Sequence, residues 1–248
     1  MWPKGFDPRR AAERAVEAAR QEAGASLRGA TLYGSAAGQD GEFHPVHSDV
    51  NIAFVFSALG AAELSALGRA ARIWRRCRVV RPLLLSEEML QSSLDAYPLE
   101  YLLIRKRRET LAGTDFFGPL VLEHAALRLE VERVLRAQEL GLGLSYVALA
   151  GTRGGVRLWA VQASNAIAAS ASGLVHLAGE PVPRTKRALA DRCAALFGVD
   201  GVAFTRLLMI RDRHRERVDA TELLDSALNI LDKLLDSAER MTPQARKL

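Results

Sequence analysis

Cysteine is nearly absent from this 248-residue chain, which carries only Cys77 and Cys193. Two thiols cannot build a disulfide framework or a structural Zn²⁺ site. They could form one disulfide at most, and free thiols in a reducing, cytoplasmic setting are the expectation. Lysine is scarce as well. Of the 34 basic residues only Lys4, Lys106, Lys186, Lys233 and Lys247 are lysine, which leaves 29 arginines. Long hydrophobic runs are missing: no stretch of 18 apolar residues occurs, so no membrane-spanning helix is expected. The opening MWPKGFDPRRAAERAVEAAR is charged from Lys4 onward and does not read as a secretory signal. What is present is an ordinary globular balance, 49% hydrophobic and 25% charged, which excludes a disordered or collagen-like chain. The length allows one large domain or two small ones. A net charge of +5 is compatible with nucleic acid, an anionic membrane face or a phosphorylated substrate. Abundant Arg and Ala together also have a purely compositional explanation, so charge does not decide the function.

Periodicity and punctuation divide the chain. Asp7-Pro8 reads as an N-cap followed by Pro at the first helical position, opening a helix to about Ala23 that Gly24 closes. Gly29–Tyr33 suits a buried strand ending in the turn Gly34-Ser35. Residues 36–47 read as loop, and Asp49–Phe56 (DVNIAFVF) as a central strand. A helix over Ala61–Arg76 is followed by Arg78–Leu85, a strand that Pro82 shortens or moves to an edge. Ser86 caps a short helix over Glu87–Leu94. The apolar run Leu99–Ile104 is expected to be a strand. Beyond about Gly118 the spacing is helical throughout: Leu120–Val147, Val156–Leu177, Thr185–Phe197, Val202–His214, and a helix opened by Asp219 with a Leu223–Leu235 stripe. The expectation is an α/β half over residues 1–117 and an all-helical half over 118–248.

One constellation stands above the rest. Leu32-Tyr33-Gly34-Ser35 is followed, after the 13 residues 36–48, by Asp49-Val50-Asn51-Ile52. A strand, a Gly-Ser turn, a polar loop and a second strand beginning with an acid is similar to the signature of the polymerase-beta-like nucleotidyltransferase superfamily. The stretches Tyr97-Pro98-Leu99-Glu100-Tyr101-Leu102 and Leu111-Ala112-Gly113-Thr114-Asp115 resemble bacterial members with a helical C-terminal domain. The likeness in motif covers about residues 28–115; the helical half resembles those proteins in architecture alone.

The resemblance implies a mixed α/β (α+β) nucleotidyltransferase-like sheet with helices, followed by an all-α helical bundle. It implies transfer of a nucleoside monophosphate from an NTP, foremost ATP, to an acceptor that the sequence does not name. Gly34 and Ser35 would contact the β- and γ-phosphates, where a missing Cβ and a free N–H suit an anion. Asp49 would be catalytic and bind Mg²⁺. The family's second acid, two residues on and on the same strand face, is here Asn51, a neutral candidate metal ligand. Glu100 is the candidate third carboxylate, catalytic on a neighbouring strand. An acid that often follows it by three residues is here Leu103. The departures at Asn51 and Leu103 support an alternative, a catalytically impaired homologue that binds a nucleotide or a partner.

Other candidates carry less. His44, His47 and Asp49 have donor spacing for a transition metal, and Asp40 and Glu42 could stand in for the missing acid from a loop. The clusters Arg72–Arg78 and Arg105–Arg108 could grip nucleic acid or phosphates, or be solvated helix and turn faces, whereas Arg211–Arg217 alternates in sign and its charges compensate one another. Cys77 lies among arginines that would lower its pKa, but no partner base is evident. The Leu223–Leu235 stripe reads as core first and as a homodimer interface second.

Overall fold

A computed structural model describes residues 6–38, 43–44, 48–152, 154–210 and 219–241. The chain divides into two compact units, Met1–Asp95 with Glu100–Val121, and Ala96–Leu99 with Leu122–Leu248. The described residues form a mixed α+β fold with a single four-stranded sheet.

The first unit opens with α1 (Pro8–Ala23), whose Asp7 cap accepts from the Arg9 and Arg10 N–H groups. β1 (Leu27–Tyr33) follows, then a 3₁₀ turn over Gly34–Ala37, and then β2 (Asn51–Phe56). α2 (Ala61–Arg76) leads to β3 (Leu83–Ser86), and Ser86 caps α3 (Glu87–Ser92) by accepting from the Met89 N–H. The sheet order is β3-β2-β1-β4, with β1 antiparallel to both β2 and β4 (Arg108–Gly113) and β2 parallel to β3. Every residue of β2 from Ile52 to Phe56 is buried, so this central strand is covered on both faces, as its unbroken apolar run requires. On one face Ala30, Leu32, Ile52, Phe54 and Phe56 form the core with the alanine-rich side of α1 and with α2. Small alanines let α1 lie close to the sheet. Trp74 of α2 stacks on Phe54 at 5.3 Å and donates its indole N–H to the Ala15 carbonyl at 3.0 Å. Trp74→Phe keeps the stack and removes that hydrogen bond, so thermal melting should report a loss of about 1 kcal/mol.

Three expectations are corrected here. Leu99–Ile104 is not a strand; it lies in α4 (Pro98–Lys106). A short apolar run cannot by itself separate a buried strand from a buried helix. The burial pattern decides: Leu99, Tyr101, Leu102 and Ile104 are buried while Glu100 is exposed, a helical rather than an alternating rhythm, and Pro98 occupies the first helical position. The strand expected over Arg78–Leu85 is only Leu83–Ser86, since the ladder begins after Pro82, which has no N–H to donate. β2 begins at Asn51, leaving Asp49 outside the strand.

The second unit holds α5 (His124–Ala150), α6 (Gly155–Leu177), α7 (Lys186–Phe197), α8 (Gly201–Leu208) and α9 (Ala220–Arg240). The glycines at 141 and 143 do not end α5. On α9, Leu223, Ala227, Leu231, Leu234 and Leu235 are buried, so this stripe is core. α8 ends well short of the expected His214, which lies outside the described residues, as does the Arg211–Arg217 cluster. Cys77 and Cys193 are free, buried thiols. No helix among the described residues is long and apolar enough to cross a membrane.

Candidate functional site

The candidate residues gather where β1 ends and β2 begins. Tyr33, the last residue of β1, is the Cα partner of Asn51 on one side and of Arg108 on the other. The chain then turns through Gly34, whose φ of +70° is a conformation that favours glycine. A Cβ at this position would stand 3.0 Å from the Asn51 Nδ2. Gly34 is therefore needed for the turn and for room beside Asn51, a structural reason that stands alongside phosphate approach.

The turn is fastened by Arg107, the residue between α4 and β4. Its carbonyl accepts the Gly34 N–H at 3.0 Å, and its buried guanidinium donates to the Ser35 carbonyl at 3.2 Å. The guanidinium lies against Gly38, where a Cβ would come within 2.8 Å of its Nε. Around it the rest of the basic cluster is engaged too. Arg105 donates to the Leu120 carbonyl at 2.8 Å, and burial, aided by the Arg108 charge, pulls its pKa down. Arg108 grips Asp115 through Nε at 3.1 Å and a terminal nitrogen at 2.8 Å. That bond, with N–H groups of Gly118 and Phe117 on the same carboxylate, holds the Asp115 pKa below its ordinary value. In this cluster, which could have gripped nucleic acid, Arg107 thus braces the Gly-Ser turn, Arg108 ties the start of β4 to Asp115, and Arg105 is bonded to Leu120. Nothing in a run of four cations signalled this; a burial pattern is needed to see it.

Asp49 is exposed, two residues ahead of Asn51. Its neighbour Val50 donates its N–H to the Arg78 carbonyl at 3.1 Å. Arg78 is buried, with φ of +63°, the one non-glycine residue among those described in this left-handed region. Its guanidinium lies over the Phe6 ring at 4.9 Å and the Phe43 ring at 5.9 Å, and these rings stack on each other at 6.0 Å. Burial pulls the Arg78 pKa down, and the Asp49 carboxylate works against that shift. Asp49 therefore has a fixed protein cation for company. A non-glycine residue held in a sparsely populated conformation, stacked and buried, marks a place the surrounding structure insists upon.

Glu100 projects from the first turn of α4 and is exposed. It reaches the same end of the sheet electrostatically: burial first, and Glu100 second, push the Tyr33 hydroxyl up to about 12. The sheet register sets Tyr33 opposite Asn51, while Glu100 stands in α4 rather than on a strand. β3, the parallel neighbour of β2, offers Leu83, Leu84, Leu85 and Ser86 and no acid. Of the weaker metal candidates, His44 closes a turn with Ser48, accepting the Ser48 N–H at 2.9 Å and donating its own N–H to the Ser48 Oγ at 3.0 Å. His47, Asp40 and Glu42 lie outside the described residues. Among the described residues no three His, Cys, Asp or Glu side chains converge to hold a metal ion.

These donors do not fit a pair of Mg²⁺ ions. Mg²⁺ demands near-octahedral oxygen ligation and usually relies on carboxylates. Among the described residues Asp49 is the one carboxylate at the head of β2, the second acid position is the carboxamide of Asn51, and β3 carries no acid.

An open groove of about 780 Å³ lies elsewhere in this unit, between α1 and the end of α2, lined by Arg10, Arg14, Glu17, Arg76 and Cys77 among others. It includes none of Gly34, Ser35, Asp49, Asn51 and Glu100. Its three arginines face Asp7, Glu13 and Glu17, so its charges balance, and Asp7 is committed to capping α1. Burial pushes the Cys77 thiol up despite Arg14, the opposite of what its arginine-rich sequence suggested.

In comparisons with known proteins, no family model matches the chain and no curated protein matches it. The reading of this site rests on its own residues.

Proposed function

We propose that this chain is a nucleotidyltransferase-like protein that binds the phosphates of a nucleotide, foremost ATP, at the Gly34-Ser35 turn, and that it does so without the two-metal chemistry of an active transferase. The observation that carries this reading is the neutral Asn51 at the family's second acid position, paired with Tyr33 where the Gly34-Ser35 turn begins. Where a transferase would hold divalent ions between two strand carboxylates, this chain has Asp49 and the carboxamide of Asn51. The Arg107-braced turn adds support, because binding an anion with backbone groups requires a loop that does not reorganise.

A titration of the full chain with a fluorescent ATP analogue tests the proposal. Ser35→Glu places a negative charge at the half-buried turn and should weaken binding by about tenfold or more, a like-charge penalty of about 1.4 kcal/mol. Equal binding by both proteins would remove the turn from the site, and no binding by the wild type would end the nucleotide reading. The transferase reading keeps one specific support, Asp49 at the family's first acid position. It predicts Mg²⁺-dependent pyrophosphate release that Asp49→Ala abolishes.

A further inference from the structure

The second unit presents a surface that the proposed nucleotide site does not use. From Leu140 to Thr152 the chain carries no charged residue. Within this stretch of α5, Leu140 is 82% exposed, Leu144 75% and Val147 76%. Their spacing, i, i+4 and i+7, puts them in one stripe along the helix. The opposite side of the same turns is anchored: Leu142 is buried, its carbonyl accepts the Trp159 indole N–H at 3.0 Å, and the Tyr146 ring meets Trp159 edge-on at 5.2 Å. The stripe is therefore held outward on a packed helix.

We infer that the α5 stripe Leu140–Leu144–Val147 is the interface of a homodimer, in which α5 packs antiparallel against its copy in a second chain. The three side chains present roughly 400 Å² of apolar surface, already within the range of the largest patch on a typical monomer. Exposed Ala137 and Ala148 extend it toward the roughly 600 Å² per partner of a small interface. The stripe is free of charge, so it lacks the charge pattern that selects a different partner. It is also self-complementary, since a two-fold axis near Leu144 sets the same leucines and valine against each other. A Cβ at Gly141 or Gly143 would touch nothing, which leaves the backbone open to close approach. A lipid surface suits it less well. Membrane-surface helices flank their apolar face with unpaired Lys and Arg, whereas Arg136 beside this stripe is bonded to Glu139 at 2.8 Å and also to Glu239.

Sedimentation velocity of the full chain between about 1 and 100 µM tests this. A dimer is expected, with Leu144→Glu and Leu140→Glu each raising the dimer dissociation constant by more than about tenfold while the monomer keeps its helical circular dichroism, because both side chains are exposed in the single chain. A wild-type monomer at the highest concentration overturns the inference, as does a dimer that neither variant weakens. A monomer that co-floats with phosphatidylcholine vesicles, and loses this with Leu144→Glu, would assign the stripe to lipid instead.

Discussion

Replacing Arg107 by alanine is expected to destabilise the first unit by about 3 kcal/mol and to remove nucleotide binding with it. The estimate combines a buried carbonyl left without its donor, about 1–3 kcal/mol, with the lost packing of the arginine stem. The Ser35 carbonyl loses its 3.2 Å donor, and the space beside Gly38 is left empty. In thermal melting this amounts to a fall of roughly 10 °C for a unit of this size. Arg107→Lys should recover part of the stability, because an ammonium can reach one acceptor but lacks the planar fork. A shift of less than about 2 °C in Arg107→Ala would show that the turn stands without its brace.

The pair Asn51→Asp and Arg78→Gln is expected to create a divalent-ion site where the wild type has none of consequence. Asn51→Asp supplies a second carboxylate two residues after Asp49, and Arg78→Gln removes the cation that Asp49 now faces. Glutamine has the same β-carbon as arginine, so the cost of the left-handed φ at position 78 is unchanged. Mn²⁺ titration followed by electron paramagnetic resonance should show at least about a tenfold tighter site in the double variant than in the wild type, the scale on which single ligand and supporting groups act. Asn51→Asp alone should gain less, because Arg78 still repels the ion. If the wild type already binds Mn²⁺ as tightly as the double variant, Arg78 is not standing in for a metal. Loss of the stack on Phe6 and Phe43 will lower the melting temperature somewhat, which circular dichroism at the titration temperature controls for.

How much of this was legible in the sequence follows the range of the interactions. Local signals were readable. Asp7, Ser86 and Asp219 each cap the helix they precede, because a cap is decided within three residues of itself. The Gly34-Ser35 turn between two apolar strands was readable for the same reason. Leu99–Ile104 was misread because its apolar residues are contiguous, and only tertiary burial shows that Glu100 faces out while its neighbours face in. β4 went unseen because RETLAG begins with charge and has no alternation; it is a strand because β1 offers it a free edge. The roles of Arg78 and Arg107 were hidden in clusters that read as surface charge. Their meaning comes from partners far along the chain: Phe6, Phe43 and Asp49 for the first, Ser35 and Gly38 for the second. An arginine wedged against glycine or aromatic rings leaves no local mark in sequence.

The claim at the centre of this account is that Asp49 serves beside an arginine rather than as a magnesium ligand. Calorimetric titration of the wild-type chain with ATP, once in millimolar Mg²⁺ and once with a chelator, addresses it most directly. The account predicts dissociation constants within about threefold of each other, less than 1 kcal/mol apart, and no pyrophosphate released in either condition. Affinity more than about tenfold tighter with Mg²⁺, or pyrophosphate release that disappears in Asp49→Ala, would contradict it.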